Sequence, residues 1–92
     1  MVKPPEFMPG QLVRLNAFAI ECIEPRNGGF KVVTAEGYDN LQDLSYREVK
    51  TIPVDSPCLV VKVYPEGHGD RLLVLFEDVL VRINHSFMEL FL

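Results

Sequence analysis

The strongest constraint on the fold lies in residues 57–92, where two apolar runs alternate at period two on either side of a turn-rich loop. Leu59, Val61 and Val63 mark the first run, and Leu72, Val74 and Phe76 the second. Between them Tyr64-Pro65-Glu66-Gly67-His68-Gly69-Asp70 carries two glycines and a proline and no helical spacing. Side chains alternate across a strand, so the pattern predicts a hairpin with Leu59, Val61 and Val63 on its core face. A third run, Val79-Leu80-Val81-Arg82-Ile83, follows after Glu77-Asp78 alone, which leaves space only for a tight turn. Asn84-His85-Ser86 is a short polar turn before the closing Phe87-Met88-Glu89-Leu90-Phe91-Leu92.

The N-terminal half reads less cleanly. Residues 1–9 carry three prolines and are expected as an extended arm. Pro9-Gly10 turns the chain into a first strand, Gln11–Leu15, and Ala19-Ile20-Glu21-Cys22-Ile23 reads as a second. Pro25-Arg26-Asn27-Gly28-Gly29 is a strong turn signal, because Asn-Gly and Gly-Gly reach positive φ at little cost. Phe30–Ala35 is then a third strand, expected to pair with the second. Glu36–Asp43 reads as loop, Leu44–Ile52 as a helical turn or a strand, and Pro53 and Pro57 bracket a linker.

The two halves resemble each other. Ser45-Tyr46-Arg47-Glu48-Val49 matches Ser86-Phe87-Met88-Glu89-Leu90 as Ser, aromatic, any residue, Glu, aliphatic. Ile23-Glu24-Pro25 with its glycine loop and the strand at Phe30 matches Val63-Tyr64-Pro65 with its loop and the strand at Leu72. A period of about 40 residues suits one supersecondary unit used twice, since a half-unit cannot bury its apolar face alone. The rival explanation is that strand, proline, glycine, strand is common grammar. Each serine is expected to start one helical turn by accepting a backbone N–H, with the following aromatic closing the end of the fold.

Size and charge set the function classes. Ninety-two residues make a single domain, 1–92, with residues 10–53 and 57–92 as half-units. With 48% hydrophobic residues, the chain holds more apolar surface than a core this small hides, which points to a partner surface. Nine Lys and Arg against thirteen Asp and Glu give a net charge of −4. The basic residues are dispersed singly, whereas nucleic-acid affinity needs a basic face, so nucleic acid is disfavoured as a partner. No apolar run approaches the roughly 18–20 residues of a membrane-spanning helix, and the first residues lack a signal peptide's apolar stretch. Cytoplasmic localisation and no membrane contact are the expectation.

The chemically suggestive residues have simpler explanations. Cys22, Cys58, His68 and His85 make the ligand inventory of a zinc site, but none has a partner at the close spacing that structural zinc uses. Both cysteines fall in apolar runs and read as core thiols, so no metal and no cofactor is expected. His68 and Asp70 flank Gly69, yet no nucleophile adjoins them. Their expected role is turn chemistry, with Gly67 and Gly69 at positive φ and Asp70 bonding back to the loop. A phosphate cradle fails on the charges of Glu66 and Asp70. No catalytic residues are assigned. Leu72-Leu73-Val74-Leu75-Phe76 has no polar alternation, so both faces of that strand need cover.

Residues 57–92 with Pro9–Leu15 resemble small SH3-like β-barrel proteins. More narrowly, Val61–Asp70 followed by Val74-Leu75-Phe76 and Asn84-His85-Ser86 is similar to small uncharacterised proteins encoded by tailed phages. The resemblance covers about half the chain; residues 16–56 exceed a minimal barrel of this kind. It implies an all-β fold, a small SH3-like barrel or sandwich, that binds rather than catalyses. Peptide-binding barrels of this type display aromatics around long loops, which points to Tyr38, Tyr46 and Tyr64. The partner-binding residues expected are Tyr38, Tyr64, Glu66, Gly67, His68, Gly69, Asp70, Phe91 and Leu92. The leading expectation is a non-enzymatic interaction or structural module, phage-encoded, in a virion or host cytoplasm, with a protein partner or its own copies. The alternatives are a small acidic inhibitor of a host enzyme or defence complex, a nucleic-acid-binding barrel and a small enzyme.

Overall fold

A computed structural model describes residues 7–24, 26, 28–35, 49–65, 67 and 69–92. Seven strands form one antiparallel sheet: β1 (Leu12–Leu15), β2 (Phe30–Thr34), β3 (Val49–Ile52), β4 (Cys58–Val63), β5 (Leu72–Phe76), β6 (Val79–Ile83) and β7 (Met88–Leu90). Their spatial order is β3-β2-β6-β5-β4-β1-β7, and the sheet curls into a half-barrel. The fold is all-β, as the sequence predicts. Among the described residues no helix is long and apolar enough to cross a membrane.

The C-terminal hairpins follow the sequence pattern. Glu77-Asp78 joins β5 to β6 with Glu77 at φ 54°, and the register pairs Leu72 with Ile83 and Phe76 with Val79. Leu72, Val74 and Phe76 enter the core, while Leu73 and Leu75 on the other face are half-buried. The inner face also holds Leu15, Ile52, Cys58, Val60, Val81, Ile83 and Met88. Phe7, from the proline-rich arm, joins this core.

Two expectations about the strands are corrected. The strand expected at Ala19–Ile23 is a single helical turn, α1 (Ala17–Glu21). Asn16 starts it: its side-chain oxygen accepts the Ala19 N–H at 2.9 Å, and its carbonyl accepts from Ile20. Ala17 and Ala19 favour the helix, and Ala19 is the residue it buries. β2 therefore pairs with β3 on one side and β6 on the other, not with residues 19–23. Cys22 caps the helix and is exposed, so only Cys58 is the expected core thiol.

The second correction concerns β4. Cys58 and Val60 face the core, and Leu59 and Val61 face out. The register shifts between Val60 and Lys62 at a β-bulge, which breaks the unbroken alternation that the sequence pattern predicts. Leu59 and Val61 thus leave the core face assigned to them.

At the closing turn, a 3-10 helix spans His85–Phe87. Asn84, rather than Ser86, supplies the cap, its oxygen accepting the Ser86 N–H at 2.9 Å. Phe87 closes one end of the half-barrel, its ring 5.4 Å from Phe18 and 4.8 Å from Phe30. Residues 36–48, which include the expected loop, Tyr38, Tyr46 and the repeat segment Ser45–Glu48, lie outside the described residues, as do residues 1–6.

Candidate interaction surface

The outward face of the sheet carries a row of leucines. The strand registers set Leu12 opposite Leu59, Leu59 opposite Leu75, and Leu75 opposite Leu80. Adjacent strands lie about 4.8 Å apart, so the row crosses β1, β4, β5 and β6 over about 14 Å. Leu12 is 47% exposed, Leu59 36% and Leu80 40%, with Leu75 half-buried between them. Val61, 41% exposed, adjoins the row at the bulge. Scattered surface leucines are ordinary, but four in register on one face form a contiguous apolar strip of the kind that marks an interface.

Charges divide along the strand direction. Beyond the row toward the β5–β6 turn stand Asp55, Glu77, Asp78 and Glu89. Arg14 lies 3.9 Å from Asp55 and 3.6 Å from Glu89, and Lys50 lies 3.1 Å from Glu77. Toward the β4–β5 loop stand Lys62, Arg71 and Arg82, with Asp70. Among the described residues the turn end is net acidic and the loop end net basic.

The residues expected to bind a partner fall in two separate places. Tyr64 sits at the loop end of β4, where its N–H donates to the Arg71 carbonyl at 2.7 Å and Arg71 Nε donates back to the Tyr64 carbonyl at 3.1 Å. Its ring is not a free handle. The Arg82 guanidinium stacks 3.8 Å from the ring centroid, and Lys62 Nζ lies 4.7 Å from it. Arg82 is almost wholly buried and donates from Nε to the Asp70 carbonyl at 2.8 Å. Tyr64 thus covers a buried cation and ties the loop to β6. Gly67 and Gly69 adopt φ 94° and 58°, the positive values expected of them. Tyr38, Glu66 and His68 lie outside the described residues.

Phe91 and Leu92 follow β7, beside β1. The Phe91 N–H donates to the Leu12 carbonyl at 2.9 Å, and the Arg14 guanidinium lies 5.6 Å from the ring centroid. Phe91 therefore borders the leucine row, and Leu92 projects fully exposed. Tyr64 follows β4 and Phe91 follows β7, two strands apart in the sheet. The signal that could have found the leucines was the unalternating Leu72–Phe76 run, whose second face needs cover.

A pocket of about 120 Å³ lies between β2 and β6, lined by Phe30, Val33, Arg82, Ile83, Asn84 and Phe87 among others. That is close to the volume of an engineered cavity that admits benzene, and well below the usual size of a substrate cleft. Among the described residues no three His, Cys, Asp or Glu side chains gather as metal ligands would.

Burial raises the Cys58 thiol from its ordinary 9.0 to about 11. The folded chain holds this proton more tightly than the unfolded chain. The contribution to stability is full below pH 9 and declines as pH rises toward 11. At neutral pH a thiol reagent is expected to modify Cys22 and spare Cys58 until denaturant is added, as read by intact mass. Equal labelling of both thiols in the native protein would contradict the burial of Cys58.

Compared with protein-family models, with curated proteins and with solved structures, the chain matches none.

Proposed function

We propose that the chain is a non-enzymatic protein–protein interaction module that docks through the outward leucine row. The observation that supports this reading is the in-register alignment of Leu12, Leu59, Leu75 and Leu80 across four strands, three of them substantially exposed. An apolar strip of this length on a sheet face is costly to leave in water and gains from cover by a partner. Phe91 extends it at one margin. Tyr64, held against Arg82, acts in this reading as support for the loop rather than as an anchor.

The half-barrel is read as SH3-like, and a two-unit origin rests on the sequence match of Ser45–Val49 with Ser86–Leu90. Against that origin, Ile23 follows a helical turn whereas Val63 ends a strand. A phage-encoded role, in a virion or the host cytoplasm, belongs to the proposal on the resemblance of the Tyr64–Asp70 loop region.

A photoactivatable residue placed at Leu80 tests the reading, with one at Arg26, on the loop before β2, as control. Irradiation of the full chain in its native lysate is expected to give defined protein adducts from position 80 and none from position 26. No adduct at position 80, or the same adducts from both positions, would remove the leucine row as the docking surface.

A further inference from the structure

We propose that the leucine face binds a second copy of this chain, forming a two-fold dimer whose axis runs along the leucine row. This rests on the reading of that face as an interaction surface and adds the identity of the occupant. The argument is one of charge. A two-fold axis lying in the interface along the row sets Leu12, Leu59, Leu75 and Leu80 each against its own counterpart. The same rotation reverses the strand direction. The basic loop end of one copy, with Lys62 and Arg71, then lies over the acidic turn end of the other, with Asp55 and Glu89, whose carboxylates meet Arg14 on the leucine face. Each copy offers both halves of the match, as a closed isologous pair requires.

The other face-to-face arrangement, with its axis along the strands, stacks basic end on basic end and acidic on acidic. Like charges held together at an interface are strongly unfavourable, so the charge division selects the first arrangement. Twisted sheets cross at about 30° when their faces pack, so the contacts are best matched near the row itself. The curl of the half-barrel confines the contact to the row and its flanks. A contact of that extent belongs with weak, reversible association, micromolar rather than nanomolar.

Sedimentation equilibrium of the full chain, from low to several hundred micromolar, reads the outcome. A monomer–dimer equilibrium is expected that weakens several-fold from low to high salt, because salt screens the two charged flanks. Lys62→Glu alone and Asp55→Lys alone are each expected to weaken the dimer by about tenfold. Mixed in equal amounts, the two variants should pair as tightly as the parent chain, since every repulsive contact in either homodimer becomes attractive in the heterodimer. Leu80→Asp should leave a monomer with an unchanged circular dichroism spectrum. The salt series on the parent chain carries the same test should a variant fold poorly.

Three results would overturn the proposal: a monomer at every concentration, a dimer that survives Leu80→Asp, or charge variants that do not recover on mixing. A monomeric chain whose probe at position 80 still captures a different protein would overturn the homodimer alone. A monomeric chain that captures nothing would overturn the docking surface with it.

Discussion

Val60→Asp is expected to destabilise the protein severely, and Val61→Asp to leave its stability nearly unchanged. The two valines are adjacent, equal in size and on the same strand, yet Val60 is 1% exposed and Val61 41%. An aspartate at position 60 would place a carboxylate among Cys58, Val74 and Val81, away from water and without a partner. Leaving a charge uncompensated in a core is worth roughly 3–5 kcal/mol. A domain of this length has a total stability of about 5–14 kcal/mol, so that loss is a large share of the whole. At position 61 the carboxylate stays hydrated, and the change is expected within about 1 kcal/mol. Urea titration followed by circular dichroism separates the outcomes. If Val61→Asp proved the disruptive one, β4 would run without its bulge, and Leu59 and Val61 would join Val63 on the core side.

Gly29→Ala is expected to destabilise the protein by roughly 3 kcal/mol or more, and Gly28→Asn by less than about 1 kcal/mol. The neighbouring glycines meet different needs. Gly28 takes φ 72° with open space where a Cβ would stand, so it needs a residue that tolerates the left-handed region, and asparagine does. Gly29 is limited by contact instead. A Cβ there would overlap the backbone carbonyl of Ile52, the residue paired with Phe30 where β2 begins. Neither group is the loose end of a flexible side chain, so β2 and β3 would have to separate. Thermal melts of both variants against the parent check this. A larger loss for Gly28→Asn than for Gly29→Ala would mean that the turn conformation, not the close approach, governs the junction.

The sequence was most readable where strand pairing is local. Leu72–Phe76 and Val79–Ile83 are joined by two residues, and period-two runs with a short polar gap leave few other structures open. Reading failed where one residue resets the pattern. The bulge between Val60 and Lys62 exchanges the faces of β4, and nothing in Leu59-Val60-Val61-Lys62-Val63 marks its position, because four of the five residues suit either face. That exchange hid the candidate site, since Leu59 looked like core. α1 did carry a signal: Asn16 before Ala17-Phe18-Ala19 is a helix start, outweighed in the reading by the apolar Ala19, Ile20 and Ile23. For Tyr64, the sequence held no sign that Arg82, eighteen positions on, would stack beneath its ring.

The place of β1 in the sheet decides when the leucine row, the proposed docking face, comes into being. β1 lies between β4 and β7, and its pairs run from Leu12 to Leu59, 47 positions along the chain, and from Leu15 to Met88, 73 positions along. The β5–β6 hairpin needs only a two-residue turn and can close within about 1–10 μs, as isolated hairpins do. Docking β1 must first close two long loops, which belongs to the millisecond-to-second range of sheets dominated by non-local pairing. Leu12, the first leucine of the row, arrives only with that step. A nascent or partly folded chain therefore has its central hairpins but an incomplete row, and mature copies find no finished partner in it. Association through the proposed face would thereby be restricted to molecules that have completed folding.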